Sequence, residues 1–95
     1  MGQNNNGFYN KDLNGMLEKL AKGQWTPYEL KILLVIVRKT LGWRKESDWI
    51  SYGQFEKATG IDRRNISRVI RSLEKKGIIE VDRTVKSKPQ YRIKK

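Results

Sequence analysis

The sequence predicts a mainly α-helical domain with a small β-sheet toward its C-terminal end. Four segments place apolar residues at helical spacing, and residues 78–82 and 90–94 alternate apolar and polar residues as strands do. Two of the helix starts carry capping boxes. With 95 residues, 37% of them hydrophobic and 33% charged, the chain suits one soluble domain with a modest core.

The composition argues against several classes of protein. There is no Cys, which excludes disulfides and thiolate metal sites, and no His, the commonest general base and metal ligand. The chain has no Gly-rich phosphate loop and no carboxylate pair at a catalytic spacing, so we predict no enzyme activity, cofactor or metal. The longest apolar run, residues 32–37, is too short to cross a bilayer, and no signal peptide is recognisable. We therefore expect an intracellular protein.

The N-terminal part is expected to hold a flexible segment and one helix. Residues 1–6 include the polar run Gln-Asn-Asn-Asn, and we predict a flexible segment at residues 1–9 ahead of a folded domain at residues 10–95. The first helix is predicted from Asn10 to near Gly23. Its apolar stripe consists of Leu13, Met16, Leu17, Leu20 and Ala21. We expect this stripe to pack on the core, and a homodimer contact is the alternative.

The second helix has strong start signals. Thr26 suits the N-cap, Pro27 suits the first helical position, and Glu29 is placed to close a capping box. The segment that follows is apolar nearly all round as far as Leu41. It is therefore predicted to be the central core helix and to end at Gly42.

A helix-turn-helix unit is predicted next. After a polar loop at residues 43–48 and a brief strand at residues 49–52, Ser51 and Gln54 form a second capping box. This box opens a short helix that runs to Thr59. Residues 60–62 then turn the chain into another helix, which is the layout of a helix-turn-helix.

The helix at residues 62–77 carries the most informative pattern in the chain. Asp62 suits its N-cap, and Gly77 can adopt the left-handed conformation that ends a helix. Its apolar stripe consists of Ile66, Val69, Ile70 and Leu73. Its opposite face repeats cations at helical spacing, namely Arg64, Arg68, Arg71 and Lys75. Such a ridge suits the phosphate-lined major groove of DNA, and a solvated surface face is the alternative.

Two strands and a basic loop complete the predicted fold. The strands are residues 78–82 and 90–94, and the loop between them contains Lys86 and Lys88. A strand pair directly after the basic helix is a wing, and the strand at residues 49–52 could complete a three-stranded sheet. The prediction is therefore a mainly α winged helix-turn-helix with a small β-wing and an extra N-terminal helix.

The net charge of +11 is concentrated at one end of the chain. Residues 63–95 hold twelve Lys or Arg and three acidic residues, a net charge of +9, whereas residues 1–62 have a net charge of only +2. An anionic membrane could attract this charge, but no basic helix carries the bulky aromatic face of a surface anchor. Nucleic acid is therefore the predicted partner, and no membrane partner is expected.

Several stretches of the chain resemble one known family. They are Asn6-Gly7-Phe8, Val37-Arg38-Lys39-Thr40-Leu41-Gly42-Trp43, Asp48-Trp49-Ile50-Ser51, and residues 58–68, which read Ala-Thr-Gly-Ile-Asp-Arg-Arg-Asn-Ile-Ser-Arg. On these residues the chain resembles the N-terminal domain of phage replication protein O, the origin-binding initiator of lambda-like phages. The likeness covers about residues 6–82.

The resemblance implies a function and a set of partners. It implies a winged helix that binds repeated sites in the double-stranded DNA of a phage or prophage replication origin, usually as a homodimer. Such a protein acts in the cytoplasm of the bacterial host cell, in association with the nucleoid. In the family a further C-terminal region brings in the helicase or its loader. Because this chain stops at Lys95, we expect that this region has been removed or that the protein works differently.

The candidate DNA-binding residues lie on the basic helix, the short helix before it and the wing. Those expected to approach base edges are Arg63, Arg64, Asn65, Ser67 and Arg68. Arg suits the two acceptors of guanine, and Asn suits the acceptor–donor pair of adenine. Those expected to meet phosphate are Arg71, Lys75, Tyr52, Gln54, Lys86 and Lys88.

Two other interpretations of the same fold stay open. One is a winged-helix transcriptional repressor, and the other is a winged-helix protein–protein docking module whose acidic partner would use the Arg ridge. The three tryptophans, Trp25, Trp43 and Trp49, could stack on bases. Because they lie outside the basic third of the chain, we expect them at the amphipathic edges of the core.

Overall fold

The structure, a computed structural model, describes residues 7–94, with side chains from Leu13 onwards. The elements in chain order are α1 (Gly7–Lys22), α2 (Pro27–Lys39), a 3-10 turn (Leu41–Trp43), β1 (Asp48–Trp49), α3 (Tyr52–Thr59), α4 (Arg63–Lys75), β2 (Ile79–Asp82) and β3 (Gln90–Ile93). The predicted class, mainly helical with one small sheet, is confirmed.

Within the described residues, the sheet has three antiparallel strands in the order β1-β3-β2, so β3 is central. Tyr91 of β3 pairs with Asp48 on one side and with Val81 on the other. Alternate residues of β2 and β3 face the helices, where Ile79, Tyr91 and Ile93 are buried. Helices α2, α3 and α4 followed by this sheet form an arrangement compatible with a winged helix. Strands β2 and β3 with the loop at residues 83–89 are called the wing below.

The core is built around α2 and α4, as the apolar patterns predict. Ile32, Leu33 and Ile36 of α2 are fully buried. All four residues of the predicted stripe of α4 are also buried: Ile66, Val69, Ile70 and Leu73. The stripe of α1 is only partly covered, because Leu20 is buried while Leu17 and Ala21 are exposed.

The predicted helix caps are present. In α2 the Thr26 hydroxyl accepts from the Glu29 N–H at 3.1 Å, and the Glu29 carboxylate accepts from the Thr26 N–H at 3.0 Å. Ser51 and Gln54 form the same reciprocal pair at the start of α3. The Asp62 carboxylate accepts from the Asn65 N–H at 2.9 Å, and Gly77 has a φ of 74° just past α4. These local signals are thus sufficient to place both helices of the helix-turn-helix.

The start of α1 and the end of α2 differ from the predicted boundaries. Helix α1 begins at Gly7, ahead of the predicted start at Asn10, and residues 1–6 of the predicted flexible segment lie outside the described residues. Helix α2 ends at Lys39 and not at Gly42. The Thr40 hydroxyl donates to the Ile36 carbonyl at 2.7 Å, and the Thr40 carbonyl accepts from the N–H groups of Trp43 and Lys45. The chain is therefore tightened into the 3-10 turn, and Arg44 takes the left-handed conformation with a φ of 59°.

Two predictions around the first strand are corrected. The strand is Asp48–Trp49 and not residues 49–52, because Ser51 already caps α3 and Tyr52 is the first residue of that helix. Trp43 does not lie at a core edge, since it sits on the 3-10 turn and is 65% exposed. Trp25 does lie at the core edge, where its Nε1–H donates to the Leu20 carbonyl at 2.8 Å.

Candidate nucleic-acid interface

The exposed face of α4 carries a continuous row of cations. The helix buries its aliphatic stripe against α2 and α3, so the opposite side faces solvent. All four cations of the predicted ridge are exposed there: Arg64, Arg68, Arg71 and Lys75. Neighbours on this face are three or four residues apart, so successive cationic groups lie along one line. These four residues form a strongly positive strip along the length of the helix, which we call the cationic strip.

Of the candidate base-reading residues, Arg64 and Arg68 belong to this strip, and the other three lie on its two flanks. Asn65 and Arg68 line a shallow depression together with Pro27 and Tyr28, on the side of the N-terminus of α2. The Asn65 Nδ2 group also donates to the Asp62 carboxylate at 3.4 Å. Arg63 lies on the other flank, toward α3 and the wing, and forms an ion pair with Glu56 at 3.3 Å. Ser67 follows Arg63 by four residues on the same flank.

The start of α3 places the two other candidates of the helix-turn-helix. Tyr52 is half-buried at the first helical position, and Gln54 is exposed at the third. The Gln54 side-chain oxygen accepts from the Ser51 N–H at 2.8 Å, so it is used in the capping box. The amide NH₂ of Gln54 is the group that remains to contact a ligand. The first N–H groups of α3, those of Tyr52 and Gly53, point out of the helix end.

A groove of about 650 Å³ opens between the wing, the start of α3 and the start of α4. We call it the wing groove. Its lining includes Trp49, Tyr52, Arg63, Arg83, Lys86 and Tyr91. The fold thus brings together three of the predicted site residues, Tyr52, Arg63 and Lys86. Lys88 is not among the residues that line the groove, and its Nζ lies 5.8 Å from the centre of the Trp49 ring.

Arg83, Trp49 and Tyr91 line this groove but were not predicted as site residues. Arg83 makes two hydrogen bonds of 2.8 Å to the Glu74 carboxylate and so joins the wing to α4. The hydrogen bonds from Arg83 hold the pKa of Glu74 below its ordinary value against the effect of burial, and they raise the pKa of Arg83. The sequence signal for Tyr91 is its alternation with Ile93, which places it on the inner face of β3.

A buried carboxylate fixes the C-terminal half of α4. Glu29 is 4% exposed, and its Oε2 accepts from Lys76 Nζ at 2.7 Å and from the Ser72 hydroxyl at 3.3 Å. Burial alone would raise the pKa of Glu29. The hydrogen bond from Lys76, with those from the Thr26 N–H and Ser72, outweighs burial and lowers this pKa below its ordinary 4.5. The capping carboxylate of α2 therefore also anchors the helix that presents the cationic strip.

Among the described side chains, those of residues 13–94, no group of three or more acidic residues is placed to hold a metal ion. Within residues 7–94, no helix is both long enough and apolar enough to cross a membrane.

Known proteins provide an independent comparison. The sequence pattern of the family described as Bacteriophage replication protein O matches residues 1–95. A relative from Salmonella phage P22, described as "DNA replication protein gp18", is 32% identical over 71 residues, which are 75% of this chain and 26% of the relative. The chain thus spans about a quarter of that relative's length. No solved structure matches the chain. The predicted resemblance is confirmed, and the chain belongs to the bacteriophage replication protein O family, a family of phage DNA replication proteins.

Proposed function

We propose that this chain is a sequence-specific double-stranded DNA-binding domain that acts at a phage or prophage replication origin. The observation that carries the proposal is the exposed cationic strip of α4, which lies opposite a buried apolar stripe and beside a basic wing. Family membership gives this strip a replication context. The domain contributes binding and not catalysis.

The geometry supports a division of roles among the candidate residues. As the reading helix of a winged helix, α4 would enter the major groove, and the residues of its first two turns would meet base edges: Arg63, Arg64, Asn65, Ser67 and Arg68. The remaining candidates would meet phosphate, from the far end of α4, the start of α3 and the wing: Arg71, Lys75, Tyr52, Gln54, Lys86 and Lys88. Phosphate contacts fix orientation, whereas base contacts supply sequence preference.

We also propose the partners of the domain and its site of action. The partner is duplex DNA with repeated sites, and a homodimer would bind neighbouring repeats. The exposed Leu17 and Ala21 of α1 are available for such a contact between two copies. Recruitment of a helicase or its loader is assigned to a C-terminal region outside residues 1–95. The site of action is the cytoplasm of the bacterial host, at the nucleoid.

A gel-shift comparison tests this proposal against its two alternatives. The probes are DNA from the phage's own origin, a scrambled duplex and a promoter fragment. Preference for origin DNA is expected, preference for a promoter palindrome would favour a repressor, and absence of binding to all three would favour a docking module. Arg64→Ala should weaken binding, whereas Lys19→Ala, which removes the same charge from α1, should have little effect.

A further inference from the structure

Tyr91 has a hydroxyl group that the fold buries without a partner. The residue is 1% exposed, and its ring packs edge-on against Phe55 with a centroid distance of 5.2 Å. Among the side chains that the structure describes, residues 13–94, no group forms a hydrogen bond with the Tyr91 hydroxyl. A buried hydroxyl normally has a partner, because leaving it unmatched is costly. Tyr91 lines the wing groove, so its partner can come from a ligand in that groove.

The charges around the wing groove indicate which kind of ligand it would take. The lining includes three cationic side chains, Arg63, Arg83 and Lys86. Among the residues that the structure describes, no Asp or Glu belongs to this lining. Arg63 and Arg83 are each paired with an acid that lies outside the lining, Glu56 and Glu74. The groove therefore keeps a positive character and suits an anion that accepts hydrogen bonds.

The start of α3 adds further donors to the same groove. Tyr52 and Gly53, the first two residues of the helix, both belong to the lining. The capping hydroxyl of Ser51 is occupied by the Gln54 N–H, so the N–H groups of Tyr52 and Gly53 are left for a ligand. Helix α3 therefore presents unsatisfied amides to an anion at the same point as the Tyr91 hydroxyl and the cations.

The position of the groove relates it to bound DNA, and this step rests on the proposed function. With α4 in the major groove and the wing over the adjacent minor groove, the DNA strand that separates the two grooves passes between α4 and the wing. We propose that the wing groove binds one backbone phosphate of this strand. The Tyr91 hydroxyl and the amides of Tyr52 and Gly53 are the donors, and Lys86 supplies charge.

The test uses Tyr91→Phe, which keeps the ring and its contact with Phe55 and removes only the unmatched hydroxyl. Thermal melts should show the variant to be at least as stable as the wild type. Fluorescence anisotropy should show an affinity reduced about tenfold for origin and scrambled duplexes alike, since the variant cannot donate a hydrogen bond to a charged group and phosphate carries no sequence information. The salt dependence should keep its slope, because no charge has been removed.

A scan of the duplex with single neutral methylphosphonates locates the contact. A methylphosphonate at one position should weaken binding by the wild type more than it weakens binding by Tyr91→Phe, and the other positions serve as internal controls. Lys86→Gln should lower the salt slope by about 0.9, as expected when one cation no longer neutralises a phosphate. If Tyr91→Phe and the wild type bind equally tightly with the methylphosphonate at every position, this inference is overturned. The Tyr91 hydroxyl would then be hydrogen-bonded to a water molecule. Failure of the wild type to bind any duplex would instead overturn the proposed function, and this inference with it.

Discussion

Glu74 and Arg83 join helix α4 to the wing through two parallel hydrogen bonds, each 2.8 Å long. Both side chains end in planar groups, so a two-point contact fixes their relative orientation as well as their distance. Arg83 directly follows β2, and Glu74 lies near the end of α4. The pair therefore sets the position of the wing loop relative to the cationic strip.

Breaking this pair should make the wing loop more mobile. Because a partly exposed ion pair contributes about 0.2–1 kcal/mol, Glu74→Gln should raise the rate of tryptic cleavage after Lys86 by about two- to fivefold. Glu74→Gln leaves this cleavage site itself unchanged. The charge swap Glu74→Arg with Arg83→Glu should restore slow cleavage after Lys86. Equal cleavage of wild type and Glu74→Gln would show that the pair does not hold the wing.

The two faces of α4 should respond to substitution in opposite ways. Ile66 is fully buried, so Ile66→Ala should lower the free energy of unfolding by about 2–5 kcal/mol. Arg68 is exposed on the opposite face, and Arg68→Ala should change this free energy by less than about 0.5 kcal/mol. Denaturant melts of the two variants check both values. A larger loss of stability for Arg68→Ala than for Ile66→Ala would show that the buried and exposed faces of α4 have been assigned the wrong way round.

Stability should depend on pH through Glu29. Its pKa is lower in the folded protein than its ordinary 4.5, so its contribution is complete above pH 4.5 and is lost as the pH falls through the folded pKa. At neutral pH, Glu29→Gln should cost about 1–3 kcal/mol, because Lys76 and Ser72 lose a charged acceptor.

Urea melts of both proteins from neutral pH to below 4.5 check this prediction. The difference between wild type and Glu29→Gln should shrink as the pH falls. Glu80→Gln is the control, since Glu80 pairs with Arg92 on the exposed face of the sheet, and it should cost less than about 1 kcal/mol at neutral pH. A difference that stays constant with pH would contradict the assigned role of the Glu29 carboxylate.

The wing lysines should bind phosphate without sequence preference. Replacing Lys86 and Lys88 with Ala should weaken binding to all duplexes alike, and the salt slope should fall by about 0.9 for each phosphate that a lysine no longer neutralises. The two single variants separate the residues, since Lys86 lines the wing groove and Lys88 lies over the Trp49 ring. If the double variant keeps the salt slope of the wild type, neither lysine contacts a phosphate.

The parts of the fold that follow from the sequence are those set by neighbouring residues. Asp62, the apolar stripe and Gly77 define α4 within one short stretch, and both capping boxes join residues three positions apart. The end of α2 was misplaced because the hydrogen bond from the Thr40 hydroxyl to the Ile36 carbonyl competes with the signal from Gly42.

The site was predicted less completely than the fold, because its contacts join distant parts of the chain. Glu29 and Lys76 are 47 residues apart, and neither the ion pair nor its effect on α4 can be seen in local periodicity. The same holds for the wing groove, where Trp49, Arg63 and Tyr91 meet from three elements. The cationic strip was predictable because all its members belong to one helix.

Asn65 and Arg71 should separate base reading from general attraction to DNA. Asn65 is uncharged and lies in the first turn of α4, so its replacement should remove the proposed base contact without reducing the attraction to phosphate. We expect Asn65→Ala to weaken binding to the origin repeat by about 1–3 kcal/mol and to leave binding to a scrambled duplex unchanged. Arg71→Ala should weaken both, because we assign Arg71 to a phosphate.

Fluorescence anisotropy of the wild-type protein on these two duplexes, at several salt concentrations, tests sequence-specific origin binding most directly. A cationic strip alone would bind both duplexes equally, with a Kd in the micromolar range or weaker at physiological salt. We predict that the wild type binds a repeat from its own origin much more tightly than the scrambled duplex, and that Asn65→Ala loses part of this preference. Equal binding of the wild type to the scrambled duplex and to every repeat near its own origin would rule out sequence-specific origin binding.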